Sequence, residues 1–330
     1  MISDRMAGFW FTIAIVGLLL IPGVAQAQVG EQVEKLTSQA GEAAKDAAAK
    51  WMDQIRSDPW TWLHSLAAVG VLVGLWMLKV IRPDSLEQGG PRKVDGHPPF
   101  IWIASGALAF LAMVAGGVMA TTLLHVQPGS SGLRERALLS LSNYALSVPA
   151  TVVLVRLLGM SAPEAGLAMK PPDFTKGLLA IALAWPVVQA SAIVTAWIMI
   201  KFGGPAPEDI AHSTLVALQN NARDPWALTL GACAVLGAPI VEEFIFRGCL
   251  QSALLKLFGR PWVAVLATSA AFAAMHLSEA RGGTWHAIAA LFVLGVALGV
   301  AFERTRSFLV PVVMHVVFNL ANILITLAKL

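Results

Sequence analysis

The last third of the chain sets a few charged side chains inside apolar sequence, and their order gives them different roles. Glu242 and Glu243 are adjacent, and Arg247 follows Glu243 by four residues, which is the order that pairs best on a helix. Glu242 points about 100° away around the same helix and lacks that partner. We predict that Glu243 and Arg247 form a structural pair and that Glu242 faces a cavity as a general base.

Two later apolar segments contribute histidine and amide side chains. His276 closes the first segment, one turn after Phe272. In the second segment His315 and Asn319 share a helix face, and Asn322 lies close to it. Ionisable groups at membrane depth cost at least a few kcal/mol each. We therefore expect a polar interior wall, with hydrogen bonding between helices as the alternative explanation of the pattern.

Sequence distances predict that these groups meet. Glu242 and His276 are equally far from Gly259, which begins a Gly-Arg-Pro turn signal between two helical segments. In an antiparallel hairpin the two side chains then lie at the same level. Together with His315 and Asn319, they are expected to surround one pocket that opens toward the inner side of the membrane.

A glutamate, two histidines and an asparagine around a wet pocket support two forms of amide hydrolysis. In the first, Glu242 takes a proton from water and His276 serves as a second base. His315 and Asn319 then donate hydrogen bonds to the oxyanion of the tetrahedral intermediate. In the second, Glu242, His276 and His315 ligate zinc and leave a fourth position for water. The residues alone leave both forms open, so zinc is a cofactor in one of them.

The composition places these groups in a membrane protein. Of 330 residues, 57% are hydrophobic and 13% are charged, against about a quarter charged in soluble domains, which excludes an ordinary soluble enzyme. From Trp60 onward the chain is a series of apolar stretches of about 18 to 25 residues, each long enough to cross a bilayer. We predict an all-α, polytopic membrane helix bundle of about eight transmembrane helices, near 60–78, 99–122, 138–158, 177–200, 226–250, 261–277, 285–302 and 308–328.

The chain divides into four predicted regions. Residues 1–27 carry Arg5, an apolar run and Ala25-Gln26-Ala27, which indicates a cleaved signal peptide, with an uncleaved signal anchor as the alternative. Residues 28–58 have apolar positions at spacings of three and four, which predicts an amphipathic helix outside the cytoplasm. Residues 59–224 are expected to form accessory transmembrane helices, and residues 225–330 a catalytic core of four.

The charges of the connectors predict the orientation of the bundle. The connector 79–98 and the other connectors on the same side of the predicted bundle hold ten lysines and arginines, whereas the segments on the opposite side hold six. Because cytoplasmic loops are enriched in these residues, both ends of the mature chain are expected outside the cytoplasm. The basic residues are scattered and the net charge is +3, so nucleic acid is not an expected partner.

At the residues above, the sequence resembles the intramembrane endopeptidases of the CAAX-protease and bacteriocin-processing family, also called CPBP or Abi. The family's three signatures read here as Glu242-Glu243-x-x-x-Arg247, Phe272-x-x-x-His276 and His315-x-x-x-Asn319, and the resemblance covers about residues 225–328. It implies that Glu242 and His276 activate water. It further implies an oxyanion site at His315 and Asn319, and a structural role for Glu243 and Arg247. The family has been described both as metallopeptidases and as metal-independent.

The resemblance implies an intramembrane endopeptidase that cuts a peptide or a lipidated-protein tail, with that substrate and membrane lipid as its partners. We expect it in the bacterial inner (plasma) membrane, with the active site opening toward the cytoplasmic side. The signal segment and the outer helix are not part of the family's shared core, so prenylated substrates are an analogy. The alternative is a catalytically silent membrane scaffold or bacteriocin-immunity protein of the same fold.

Overall fold

The structure is a computed structural model that describes residues 41–43, 45–88, 92–127, 132–207, 212–277 and 284–328. Contacts divide the chain into two units, Met1–Ile55 and Arg56–Leu330. In the first unit, residues 41–43 and 45–55 are helical, as the amphipathic pattern predicts. The predicted signal segment 1–27 lies outside the described residues, as do residues 28–40.

The second unit is built of helices, and its described residues include no strand. Each of the eight predicted apolar segments coincides with a helix, and seven of the described helices are long and apolar enough to cross a membrane. The remaining predicted segment, 261–277, forms the shorter helix α7, which has 15 residues. The predicted all-α, polytopic membrane bundle is therefore confirmed. The main helices are α1 (Pro59–Met77), α2 (Pro99–Leu123), α3 (Leu133–Ser161), α4 (Pro172–Lys201), α5 (Ser213–Asn220), α6 (Pro225–Phe258), α7 (Pro261–Met275), α8 (Trp285–Thr305) and α9 (Leu309–Leu327).

Local sequence explains where the helices that carry the site begin and turn. Asp224 caps α6 by accepting a hydrogen bond from the backbone N–H of Trp226 at 2.9 Å, which satisfies one of the free donors of the first turn. The hairpin between α6 and α7 turns at Gly259, whose φ of 63° lies in the left-handed region that glycine adopts most readily. Pro261 then begins α7, a position where the missing N–H does no harm.

Helix α6 is not regular, and its irregular turns flank the two glutamates. Wider π-type turns occupy Cys233–Gly237 and Phe244–Gln251, with an ordinary α-helical segment at Ala238–Glu243 between them. Pro239 lies in that segment and has no N–H to donate to the preceding turn. Wide turns inside α-helices occur frequently at functional sites because they free backbone groups and re-aim side chains.

Helix α6 lies at the centre of the bundle, where it contacts α2, α3, α7, α8 and α9. Helix α1 packs mainly against α4 and leaves most of its apolar surface exposed, as a helix that faces lipid does. Helices α2 and α3 form an extensive contact. A Cβ placed on Gly116 of α2 would lie 2.2 Å from the carbonyl oxygen of Ser142 and 2.7 Å from the Cα of Asn143. Gly116 therefore allows the backbones of α2 and α3 to touch.

A buried ion pair ties the connector before α2 to α8, at the end of the bundle that contains the Gly259 turn, and Gln251 of α6 joins it. Arg92 is 2% exposed, and its Nη2 donates to Glu303 Oε1 at 2.9 Å. The same oxygen accepts a hydrogen bond from Gln251 Nε2 at 2.8 Å, and Arg92 Nη1 donates to the carbonyl of Ala165 at 2.6 Å. Arg92, one of the ten cations in the topology count, is therefore a structural residue and not a surface charge.

We expect Gly116→Ala to destabilise the protein by about 1–3 kcal/mol or more, because the new methyl group would collide with backbone atoms. The matched control is Gly74→Ala in α1, where a Cβ would meet nothing within 4 Å. Thermal unfolding in detergent measures both variants. Equal melting temperatures for the two would show that α2 and α3 do not approach as closely as described.

Candidate functional site

The four residues predicted to act in catalysis line one cavity of about 590 Å³. Glu242 comes from α6, His276 follows the end of α7, and His315 and Asn319 come from α9. All four side chains therefore line the same cavity, and their chemical roles stay predictions. The rest of the wall includes Tyr144, Trp185, Gln189, Ile288, Leu291, Phe318 and Asn322.

Glu243 is fully buried behind the cavity, and one of its carboxylate oxygens accepts two hydrogen bonds. Its Oε1 accepts hydrogen bonds from Arg247 Nη1 at 3.0 Å and from His315 Nδ1 at 2.8 Å. The Arg247 guanidinium also donates to the carbonyl of Gly295 at 3.2 Å and lies over the ring of Phe272, 4.6 Å from its centroid. The ion pair predicted from the sequence is present, and the contact with His315 joins it to the site.

The bond to Glu243 sets the orientation of the His315 ring. With Nδ1 directed at Glu243, Nε2 is the nitrogen directed toward Glu242, whose Oε2 lies 3.9 Å away. That distance is too long for a direct hydrogen bond. The side chain of Glu242 is 27% exposed, whereas that of Glu243 is 0% exposed. Glu242 is thus the glutamate that a molecule in the cavity can reach.

Phe272 fixes the relation between the two histidines. Its ring centroid lies 5.1 Å from that of His276 and 5.7 Å from that of His315. The Nδ1 atom of His276 is 2.9 Å from the carbonyl oxygen of Phe272. This contact leaves Nε2 of His276 as the nitrogen available to the cavity. The Phe-x-x-x-His spacing therefore combines a packing residue with an oriented imidazole.

Asn319 connects α9 to the first wide turn of α6. Its Nδ2 donates to the carbonyl oxygen of Ala234 at 2.8 Å, inside the segment Cys233–Gly237. Asn322 makes a similar bond within its own helix, to the carbonyl of Phe318 at 2.8 Å. One N–H of Asn319 is therefore used by the fold, and a second N–H remains for a molecule in the cavity.

The side chains do not form a metal site in this arrangement. The described residues contain no group of three His, Cys, Asp or Glu side chains that could hold a metal ion. A zinc site needs ligand atoms about 2.0–2.2 Å from one common point, and Glu242, His276 and His315 are not grouped in this way. The sequence hypothesis of zinc ligation by these three residues is not met by this geometry, and no step below passes through a metal.

Sequence reasoning missed the contribution of α3 and α4, which it treated as accessory helices. Tyr144 of α3 and Trp185 and Gln189 of α4 line the same cavity. The criterion that found His315, a polar side chain inside an apolar span, applies equally to Tyr144 and Gln189. These two residues belong to no short motif, so only the packing of α3 and α4 against the core shows their place.

The lining also shows at which end of the bundle the cavity extends. It includes His64 near the start of α1, Thr284 and His286 at the start of α8, and Thr326 near the end of α9. These positions share one end because neighbouring helices alternate in direction. From the connector charges that end is expected outside the cytoplasm, whereas the site was expected to open toward the cytoplasm. The two expectations are incompatible.

Residues 224–321 match the family model described as type II CAAX prenyl endopeptidase Rce1-like. All three motifs lie within this segment, so the resemblance seen in the sequence is confirmed for this part of the chain. Helices α1 to α5 lie outside the match. No curated protein and no solved structure matched the chain. The match and the long apolar helices together identify an integral membrane protein.

We expect Glu243→Gln to lower stability by about 3–5 kcal/mol, because it leaves the buried Arg247 cation without its counter-charge. The double variant Glu243→Gln/Arg247→Met removes both charges and should recover much of that loss. Melting temperatures in detergent measure both variants.

The matched control is Glu164→Gln, which breaks the exposed ion pair with Lys93 and should change stability by about 0–1 kcal/mol. Equal melting temperatures for Glu243→Gln and Glu164→Gln would show that the buried ion pair contributes no more to stability than the exposed one.

Proposed function

We propose that this protein is an intramembrane endopeptidase that uses Glu242 to activate water. The observation that carries the proposal is the arrangement of the two adjacent glutamates. Glu243 is sealed in the core and orients His315, while Glu242 reaches the cavity opposite His315 Nε2. The match of residues 224–321 to an endopeptidase family supports the same reaction.

The proposed reaction begins with a water molecule held by Glu242 and His276. Glu242 takes a proton from the water, whose oxygen forms a bond with the carbonyl carbon of the scissile amide. The carbonyl electron pair moves to oxygen. Asn319 donates a hydrogen bond to that oxyanion, and so does His315 through Nε2, as an imidazolium whose Nδ1–H stays bound to Glu243. The tetrahedral intermediate then collapses, the C–N bond breaks, and the leaving nitrogen receives the proton from Glu242.

Glu243 and Arg247 act in this scheme without touching the substrate. Glu243 fixes the ring of His315, so that Nε2 rather than Nδ1 faces the reacting atoms. Arg247 balances the charge of Glu243 and secures it to the backbone of α8 at Gly295. Both are positioning residues. The resemblance implies a structural role for them, and we add to that role the orientation of the His315 imidazole.

The cavity wall supports a peptide or a lipidated-protein tail as substrate. Trp185 and Phe318 form an aromatic contact at 5.7 Å on the cavity wall, and Ile288 and Leu291 add aliphatic surface. Such a surface suits apolar side chains or an acyl chain, while the polar groups near Glu242 suit the amide. Membrane lipid and this substrate are the proposed partners.

We further propose that the protein resides in the bacterial inner membrane with its cavity opening away from the cytoplasm. The connector after α1 holds Lys79, Arg82 and Lys93, which favours a cytoplasmic location for the end of the bundle opposite the cavity. A signal peptide cleaved after Ala27 would leave the start of α1 on the same outer side as the cavity. This replaces the cytoplasmic opening expected from the sequence.

We expect Glu242→Gln to abolish peptide cleavage while the melting temperature stays near that of the wild type. The amide keeps the volume of the carboxylate but cannot take a proton, and the position is partly exposed. The assay compares membrane peptides by mass spectrometry in cells with the wild type and with the variant, followed by turnover of a synthetic peptide. Cleavage by a folded Glu242→Gln protein would contradict the proposed role of Glu242. No cleavage by the wild type would favour the catalytically silent scaffold.

The side of the cavity can be measured by cysteine labelling, since Cys233 and Cys249 are buried. Arg223→Cys places a thiol at the cavity end, and Glu164→Cys places one at the opposite end. A membrane-impermeant maleimide applied to spheroplasts is expected to label Arg223→Cys, and to label Glu164→Cys only after permeabilisation. The reverse pattern would show that the cavity opens to the cytoplasm.

A further inference from the structure

We infer that the hydroxyl of Tyr144 is a further catalytic group of the site, donating a hydrogen bond to the oxyanion that forms beside Glu242. This inference rests on the proposed function. Tyr144 lies on α3, outside the segment that matches the family model, and it lines the cavity with Glu242 and Asn319. It is the one tyrosine in the 330-residue chain.

The ring of Tyr144 is held against α6 shortly before Glu242. A Cβ placed on Gly237 would lie 2.6 Å from Cγ and 2.8 Å from Cδ2 of Tyr144, closer than two such carbons approach. Gly237 therefore makes room for the ring at the end of the first wide turn of α6. The same turn binds Asn319 through the carbonyl of Ala234. One irregular turn thus gathers Tyr144 and Asn319 beside the segment that carries Glu242.

The side chains of Tyr144 and Glu242 line the same cavity. Among the described residues the hydroxyl of Tyr144 has no hydrogen-bond partner, and it is not among the polar atoms sealed from solvent. A phenol O–H in an apolar bundle is normally hydrogen-bonded. The free donor therefore points to a partner that enters the cavity.

The other donors near Glu242 are partly engaged by the fold. His315 Nδ1 is bound to Glu243, and one N–H of Asn319 is bound to Ala234. An oxyanion site works through donors that are already in place when charge develops on the carbonyl oxygen. Tyr144 provides such a donor, because its ring is fixed against Gly237 and its hydroxyl has no partner among the described residues. The hydroxyl also carries no net charge.

In the proposed reaction Tyr144 neither gains nor loses its proton. Water attacks the carbonyl carbon as Glu242 takes the water proton, and the carbonyl electron pair moves to oxygen. The Tyr144 O–H shortens its hydrogen bond to that oxygen as the negative charge grows. When the C–N bond breaks and the nitrogen receives the proton from Glu242, the hydroxyl returns to its starting state.

The test is Tyr144→Phe, which removes the hydroxyl and keeps the ring against Gly237. With a synthetic peptide that the wild type cleaves, kcat should fall about 100-fold while KM changes by less than about threefold. The melting temperature should not change. The matched control is Ser147→Ala on the same helix, whose hydroxyl is buried and bound to the carbonyl of Asn143; it should keep the wild-type kcat.

A second readout needs no activity. Because Tyr144 is the one tyrosine, 3-fluorotyrosine supplied during growth labels this position alone. The fluorine resonance should shift in Glu242→Gln and stay in place in Glu164→Gln, which lies at the opposite end of the bundle. An unchanged resonance in Glu242→Gln would overturn the inference.

The two proposals fail in different ways. If Glu242→Gln still cleaves the peptide, the proposed function fails. If Glu242→Gln is inactive and Tyr144→Phe has the kcat of the wild type, the inference about Tyr144 fails and the proposed function stands. A loss of kcat in Tyr144→Phe that is matched by Ser147→Ala, or by a fall in melting temperature, would also overturn the inference.

Discussion

One oxygen of Glu243 accepts hydrogen bonds from both Arg247 and His315 at the buried centre of the bundle, and the rest of the site depends on this contact. A carboxylate and a guanidinium without water destabilise the fold strongly unless each neutralises the other. Because His315 is bound to the same oxygen, the stability of α6 and the orientation of an imidazole on α9 are coupled. The charge that secures the helix also selects which nitrogen of His315 faces the cavity.

The membrane-like setting explains why so many side chains of the site also bind backbone carbonyls. Polar backbone groups without water must find partners within the protein. Helix α6 frees carbonyls where its turns widen, and Asn319 binds the one at Ala234. Arg247 likewise binds the carbonyl of Gly295 on α8. Residues that lie near the chemistry therefore also hold the helices together, and a structural role does not argue against a functional one.

Much of the fold and part of the site follow from the sequence, because both are governed by local rules. Apolar length defines the spanning helices, and Pro261 after Gly259 marks the hairpin that brings Glu242 and His276 toward each other. The four-residue spacing of Glu243 and Arg247 predicts their ion pair.

Contacts between distant segments could not be predicted in this way. Glu243 and His315 are separated by 72 positions, and their bond depends on how α6 packs against α9. Tyr144 belongs to no motif, and its place depends on the contact of α3 with Gly237. The incompatible expectations for the opening of the cavity arose because the connector charges and the resemblance predict the side independently. Only the helix order relates both predictions to one end of the bundle.

The orientation of His315 can be tested most directly by nitrogen-15 NMR of histidine-labelled protein in detergent. The signals of His315 are assigned as those that disappear in His315→Gln. We expect His315 to carry a proton on Nδ1, and we expect the nitrogen signal of this ring to change in Glu243→Gln. A wild-type spectrum in which Nδ1 of His315 is unprotonated would contradict it.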